Sequence, residues 1–127
     1  MQINIKTSGE NQAIVTQLTK KLTGGTKENV IARIALGYSL STGKRFTQQE
    51  FSAYDSQGKE YKDHILFDGQ YRDFYIALIC QAYGITKNDE LISKYIKLHI
   101  DHGLEKINYL FENNPQYTLF DFLTEYF

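Results

Sequence analysis

The sequence predicts a mainly α fold: a short N-terminal strand, a helix-turn-helix pair, then further packed helices. Three observations carry that expectation. Ile3 and Ile5 alternate with Gln2, Asn4 and Lys6 over residues 2–7, the period of a strand with one buried face. Ile14, Val15, Leu18 and Leu22 recur at helical spacing, and so do Val30, Ile31, Ile34, Ala35 and Tyr38, giving two apolar stripes. Between the stripes, Gly24 and Gly25 supply the left-handed backbone that ends a helix without a side-chain clash.

Each element has local signals. Ser8 is placed to cap the first helix, with Asn11 or Gln12 in its first turn, and Lys20 and Lys21 suit the negative end of its dipole. Thr26 offers a hydroxyl to cap the second helix, and Gly43 closes it. Phe46 to Asp63 shows no sustained period beyond one turn at Thr47–Glu50 and a bend at Asp55-Ser56-Gln57-Gly58. Irregular stretches of that length are often functional when ordered. A third helix runs from near Gln70 to Gly84, and its wide apolar face (Tyr71, Phe74, Tyr75, Leu78, Ile79, Ala82) predicts burial on more than one side. Asn88 caps a fourth helix carrying Leu91, Ile92, Tyr95, Ile96, Leu98 and Ile100 to a stop at Gly103, and Leu104–Phe111 makes a shorter fifth. Pro115 breaks the chain before an aromatic tail, Tyr117–Phe127, expected to pack on the body or on a neighbouring subunit.

A chain of 127 residues fits one domain with its own core. Its 42% hydrophobic and 23% charged content is that of a soluble globular protein. The lone Cys80 excludes an intrachain disulfide and suits a reducing compartment. No apolar run reaches the roughly 20 residues of a membrane span, and Met1–Lys6 is no signal peptide, so a cytoplasmic protein is expected. Net charge is −1, but it is unevenly spread. Residues 1–62 hold nine Lys or Arg against five Asp or Glu, and residues 63–127 hold five against ten. A basic half of this kind attracts phosphates even in a faintly acidic chain.

Strand, helix, glycine turn, helix is also the order of a ribbon-helix-helix DNA-binding module. In that arrangement the first strand pairs with the same strand of a second subunit, and Gln2, Asn4 and Lys6 reach base edges. The plainer alternative is an edge strand, paired with a distant strand of its own chain and wet on its polar face. Lys20, Lys21 and Lys27 bracket the glycine turn, where a helix start favours an anion. Arg33 lies off the apolar stripe and is available to a phosphate or an acidic partner, and Lys44-Arg45 adds an adjacent basic pair.

Catalytic patterns are sparse. His99 and His102 have the spacing of two metal ligands, but no third ligand clusters with them, and solvated or capping histidines are expected. Cys80 reads as a buried thiol. Asp55 with Glu60-Tyr61-Lys62 has the skeleton of a Mg²⁺-dependent nuclease site, which needs those residues on adjacent strands of a mixed sheet. The surroundings here are turn-like. No GxSxG, phosphate loop, dinucleotide fingerprint or HExxH occurs, so a binding protein is favoured, with no catalytic residue, metal or cofactor assigned.

Five segments together resemble the DndE family of DNA sulfur-modification proteins: Asn29-Val-Ile-Ala-Arg33-Ile-Ala-Leu-Gly-Tyr-Ser-Leu40, Gly58-Lys-Glu60, Ile65-Leu-Phe-Asp-Gly69-Gln-Tyr71, Ala77-Leu-Ile and His99-Ile-Asp-His-Gly103-Leu. Their order and spacing, over roughly residues 10–107, carry the likeness. The resemblance implies a role in DNA phosphorothioation, where sulfur replaces a non-bridging phosphate oxygen. It implies a mainly helical fold related to ribbon-helix-helix modules, a homotetramer, and binding of duplex DNA, notably nicked duplex, through surface lysines. It also implies work beside a cysteine desulfurase, a sulfurtransferase-like protein and an ATPase, without a catalytic site of its own. Carried onto this chain, the DNA-binding candidates are Lys20, Lys21, Lys27, Lys44 and Arg45, joined by Arg33 and Lys6 from the residue-level reading. Residues 114–127 exceed the expected family length as an additional aromatic-rich helix. The rival functions are a ribbon-helix-helix repressor and a Mg²⁺-dependent DNA nickase.

Overall fold

The computed structural model describes residues 2–24 and 27–126. Its order is β1 (Ile5–Lys6), α1 (Gly9–Thr23), α2 (Glu28–Ser41), a 3₁₀ turn (Gln48–Glu50), β2 (Glu60–Tyr61), α3 (Asp63–Leu66), α4 (Arg72–Tyr83), α5 (Ile92–Glu112) and α6 (Leu119–Tyr126). The mainly α expectation holds, strand-led helix pair included. No helix among the described residues is long and apolar enough to cross a membrane.

The alternation at the N-terminus does set one buried face: Ile3 and Ile5 are fully buried, while Gln2, Asn4 and Lys6 are exposed. Only Ile5–Lys6 form a ladder, antiparallel to Glu60–Tyr61 of the same chain, with Lys6 opposite Glu60. The strand's partner is therefore a distant segment of its own chain, as in the edge-strand reading. Two buried carboxylates fix this region. Asp63 accepts the Ile3 amide at 2.8 Å and pairs with Arg72 at 2.9 Å. Asp101 accepts the Ser8 amide at 3.0 Å and Asn11 Nδ2 at 2.8 Å, and is ion-paired with Lys97. Ser8 caps α1 by accepting the Asn11 amide, as its position predicts.

The core lies where α5 packs along α2, the most extensive contact in the fold. Ile31, Ala35 and Leu36 of α2 meet the face of α5 carrying Ile96, Ile100, Leu104 and Ile107, all buried. The predicted stop at Gly103 is wrong: α5 runs unbroken from Ile92 to Glu112. Gly103 is fully inside the helix pair, and a Cβ there would overlap the carbonyl oxygen of Ala35. Glycine costs about 1 kcal/mol of helix propensity against alanine, and here that loss is offset by backbone approach. The helix also starts later than predicted. Asn88 is exposed, and Asp89 instead accepts the Leu91 amide at 2.8 Å.

Two further expectations change. α4 begins at Arg72 and buries one side only, through Ile76 and Ile79, while Phe74 stays 60% exposed and Tyr71 40%. The segment from Phe46 to Asp63 is ordered by a Thr47/Glu50 capping box and by β2, and α3 follows it. The tail packs on the body: Phe122 is fully buried, its ring 5.3 Å from Tyr38 and 6.3 Å from Phe111.

Candidate nucleic-acid interface

α1 ends at Gly24, which takes the left-handed conformation (φ 78°) and donates its amide to Thr19. That places Lys20 and Lys21 in the last turn, where the helix dipole is negative and cations are favoured. Lys27 occupies the N-cap of α2, its carbonyl accepting from the Val30 and Ile31 amides. The capping hydroxyl expected from Thr26 falls outside the described residues. Lys20, Lys21 and Lys27 are all exposed, as is Lys6. None of the four joins an ion pair among the described residues.

The fold adds two lysines to this end of the molecule. Thr7 donates its amide to the Lys59 carbonyl, and Lys59 Nζ stands 3.5 Å from Glu28 in the first turn of α2. Lys59 and Lys62 line a shallow groove of about 480 Å³ together with Glu28, Asn29, Glu60, Tyr61 and Ile65. Sequence reasoning passed over Lys59. Its only local signal was a neighbouring glycine, Gly58, whose lack of a Cβ lets the loop lie against the Ser8 carbonyl.

The remaining candidates are tied elsewhere. Arg33 donates to the Leu66 carbonyl at 2.7 Å and lies 4.7 Å over the Tyr71 ring, so it fastens α3 and the start of α4 to α2. Its expected availability is corrected accordingly. Lys44 pairs with Glu50 at 3.1 Å and sits over Phe46. The Thr47 amide and then Lys44 hold the Glu50 carboxyl below its usual range. Arg45 is exposed but donates to the Leu40 carbonyl at the end of α2. With 14 residues in α2, Lys44-Arg45 stands about 21 Å from Lys27 along the helix. The seven predicted cations therefore fall into separate places: Lys6, Lys20, Lys21 and Lys27 around the strand and the α1–α2 connection, Arg33 at mid-helix, and Lys44-Arg45 at the far end.

The nuclease pattern is not assembled, and its Asp55 carboxylate serves the backbone. Asp55 lies in a loop and accepts the Gly9 amide at 2.9 Å and the Gln57 amide at 3.0 Å, which lower its pKa. Glu60 sits on a two-residue antiparallel ladder, not in a mixed sheet. No three His, Cys, Asp or Glu converge among the described residues. Cys80 is half-buried against the core.

The histidines are neither solvated nor capping, which corrects the expectation. His99 is fully buried. Its Nε2 lies 2.6 Å from the Tyr83 hydroxyl and its Nδ1 2.7 Å from Ser39 Oγ, which is also 2.8 Å from His102 Nδ1. The Phe46 amide donates to Tyr83. The arrangement that uses every donor runs from Tyr83 O–H to His99 Nε2, from His99 Nδ1–H to Ser39, and from Ser39 O–H to His102. It keeps His99 neutral, in line with burial pushing its pKa down to about 3. The network ties α2, α4 and α5 together and holds the Lys44–Phe46 loop by its amide.

Fold and site together define a small α-helical protein with a strand-led helix pair and, around the connection of that pair, exposed lysines (Lys20, Lys21, Lys27) that join no ion pair among the described residues. Over residues 4–114 the chain matches the family model described as DNA sulphur modification protein DndE, and it belongs to that family. Membership places it in DNA phosphorothioation. The match ends at the residue before Pro115, so α6 lies beyond it. No curated protein matches the chain.

Proposed function

We propose that this chain is a non-catalytic DNA-binding subunit of the phosphorothioation system. It holds duplex DNA, notably nicked duplex, by the phosphate backbone and presents it to the sulfurtransferase-like and ATPase partners. The observation that carries the reading is the exposure of Lys6, Lys20, Lys21 and Lys27 without ion pairs among the described residues, in a chain whose net charge is −1. Phosphate contacts of this kind position a protein on DNA without reading sequence. Lys59 and Lys62 extend the same surface along the groove at the start of α2.

Self-association, as a homotetramer, is part of the proposal. Phe74, 60% exposed near the start of α4, and Tyr71, 40% exposed just before it, are large apolar side chains that suit a subunit contact. A backbone-binding oligomer gathers lysines from several copies, which raises affinity without a deep pocket.

The test is fluorescence anisotropy on nicked, intact and single-stranded DNA of equal length at two salt concentrations. Binding should weaken by about 0.9 log unit per log unit of salt for each phosphate neutralised. Lys20→Glu with Lys21→Glu should abolish binding and leave the helical circular dichroism intact. Unchanged affinity in that double variant would remove the proposed surface.

A further inference from the structure

The last 21 residues, 107–127, contain Glu112, Asp121 and Glu125 and no Lys, Arg or His. They run beside the lysine bend. Lys21 and Leu22, at the end of α1, form one wall of a groove of about 620 Å³ whose other walls are Phe111, Glu112, Pro115, Tyr117, Thr118 and Leu119. One of the three acids lines that groove, and the other two are hydrogen-bonded to residues that line it. Glu112 lines it directly. Asp121 is held by the Thr118 amide at 3.0 Å, while its own amide donates to the Thr118 hydroxyl at 3.1 Å. Glu125 accepts the Tyr117 hydroxyl at 2.6 Å. Hydrogen bonds of this kind hold a carboxylate in place.

The attachment of this acidic segment runs through apolar contacts. Phe122 is buried against Tyr38 and Phe111, the Tyr117 ring stands 5.1 Å from Phe111, and Leu119 is half-buried. Phe120 of the same helix is 73% exposed. Among the described residues the helix is thus docked chiefly by Phe122 with Leu119, its charges are bonded to residues of the groove that Lys21 lines, and it lies outside the family-matched span.

We infer that α6 is an acidic gate: while docked, its carboxylates lower the local positive potential at Lys20 and Lys21 and weaken the chain's hold on DNA phosphates. The inference rests on the phosphate-binding reading above. Undocking α6 carries Asp121 and Glu125 away from the groove and restores the full potential of the bend. Within a Debye length of about 8 Å at physiological salt, fixed charges of opposite sign offset one another; beyond it they are screened.

Two full-length variants test this against a matched control. Asp121→Asn with Glu125→Gln neutralises the gate. Asp73→Asn with Glu90→Gln neutralises two exposed acids on other elements, for the same change in net charge. The gate variant should bind duplex DNA roughly three- to tenfold more tightly than wild type at low salt, with the difference shrinking as salt rises. The control should change little. Phe122→Ala undocks α6 without altering any charge, and it should tighten binding in the same direction while the linker 113–118 becomes faster to cleave by protease. A gate variant no tighter than the control overturns the inference, and so does Phe122→Ala binding at wild-type strength. Wild type and variants that all fail to bind DNA overturn the phosphate-binding reading and the gate with it.

Discussion

Gly103→Ala is the sharpest test of how α5 is built against α2. In an open helix this change stabilises by about 1 kcal/mol, since alanine forms helix better than glycine. At Gly103 the added Cβ meets the carbonyl oxygen, the carbonyl carbon and the Cα of Ala35, all of them backbone atoms. A backbone cannot rotate away as a long side chain does, so the helices must separate by roughly 1 Å along their most extensive contact. Overpacking of that kind costs typically 1–3 kcal/mol, here with Ile31, Leu36, Ile100 and Leu104 losing contact at the same time. The expected net effect is a destabilisation of about 2 kcal/mol. Gly37→Ala, on α2, is the internal comparison: nothing lies within 4 Å of a Cβ there, so it should stabilise by up to about 1 kcal/mol. Urea unfolding followed by far-UV circular dichroism reads both. Gly103→Ala as stable as wild type would refute the close crossing and return Gly103 to the role of a helix interrupter.

Two other outcomes follow from buried charge. The folded-state pKa of His99 is pushed down to about 3 from 6.5, so the unfolded chain takes up the proton first as pH falls. Stability from keeping His99 neutral is full above pH 6.5 and is lost progressively toward pH 3, at up to about 1.4 kcal/mol per pH unit. Urea midpoints of wild type should therefore fall more steeply than those of His99→Gln across that window, and parallel profiles would refute the assignment. Asp101→Asn leaves Lys97 largely buried without its counter-ion and sets an amide N–H2 against the ammonium, while the remaining side-chain oxygen still accepts from the Ser8 amide and Asn11. It should cost on the order of 3 kcal/mol, and a loss below about 1 kcal/mol by urea titration would show that the network is dispensable.

Local chemistry made much of the fold legible. Ser8 before a polar first turn and Gly24 after the Leu18–Leu22 stripe are self-contained signals that form as read, and the single turn at Thr47–Glu50 forms as a 3₁₀ turn. What failed was decided by partners distant in sequence. A glycine that ends a helix and one that admits a second helix look alike in one dimension, and only the position of Ala35 separates them at Gly103. The His99 spacing pointed outward to a ligand or to water, but the partners that satisfy it, Ser39 and Tyr83, lie 60 and 16 residues away. β2 is two residues long, too short for any period to show. Among the site residues, Lys20, Lys21 and Lys27 could be named because one bend gathers them. Arg33 misled because helical phase says which way a side chain leaves its own helix, not that Leu66 and Tyr71 wait on that side. Lys59 was missed because the Thr7–Lys59 pairing that brings it beside α2 is itself long-range.

The division of labour among the cations explains how a chain of net charge −1 can present a positive surface. Arg72 and Lys97 pair with buried carboxylates, Arg33 serves the α2–α3 contact, and Lys44 is matched by Glu50. These charges hold the fold and are spent locally. Among the described residues, Lys20, Lys21 and Lys27 join no ion pair around the start of α2, and Lys6 joins none on β1. A phosphate approaching that end responds to charges within about 8 Å at physiological salt, not to the sum over a molecule in which α2 alone spans about 21 Å. Most of the acids of the second half therefore do not bear on it. Those of the C-terminal segment stand nearer: Glu112 lines the groove with Lys21, and Asp121 and Glu125 are hydrogen-bonded to Thr118 and Tyr117, which line it too. Of these three acids Glu112 lies within the family-matched span, and Asp121 and Glu125 lie beyond it. Affinity in this chain should be set by that segment as much as by the lysines themselves.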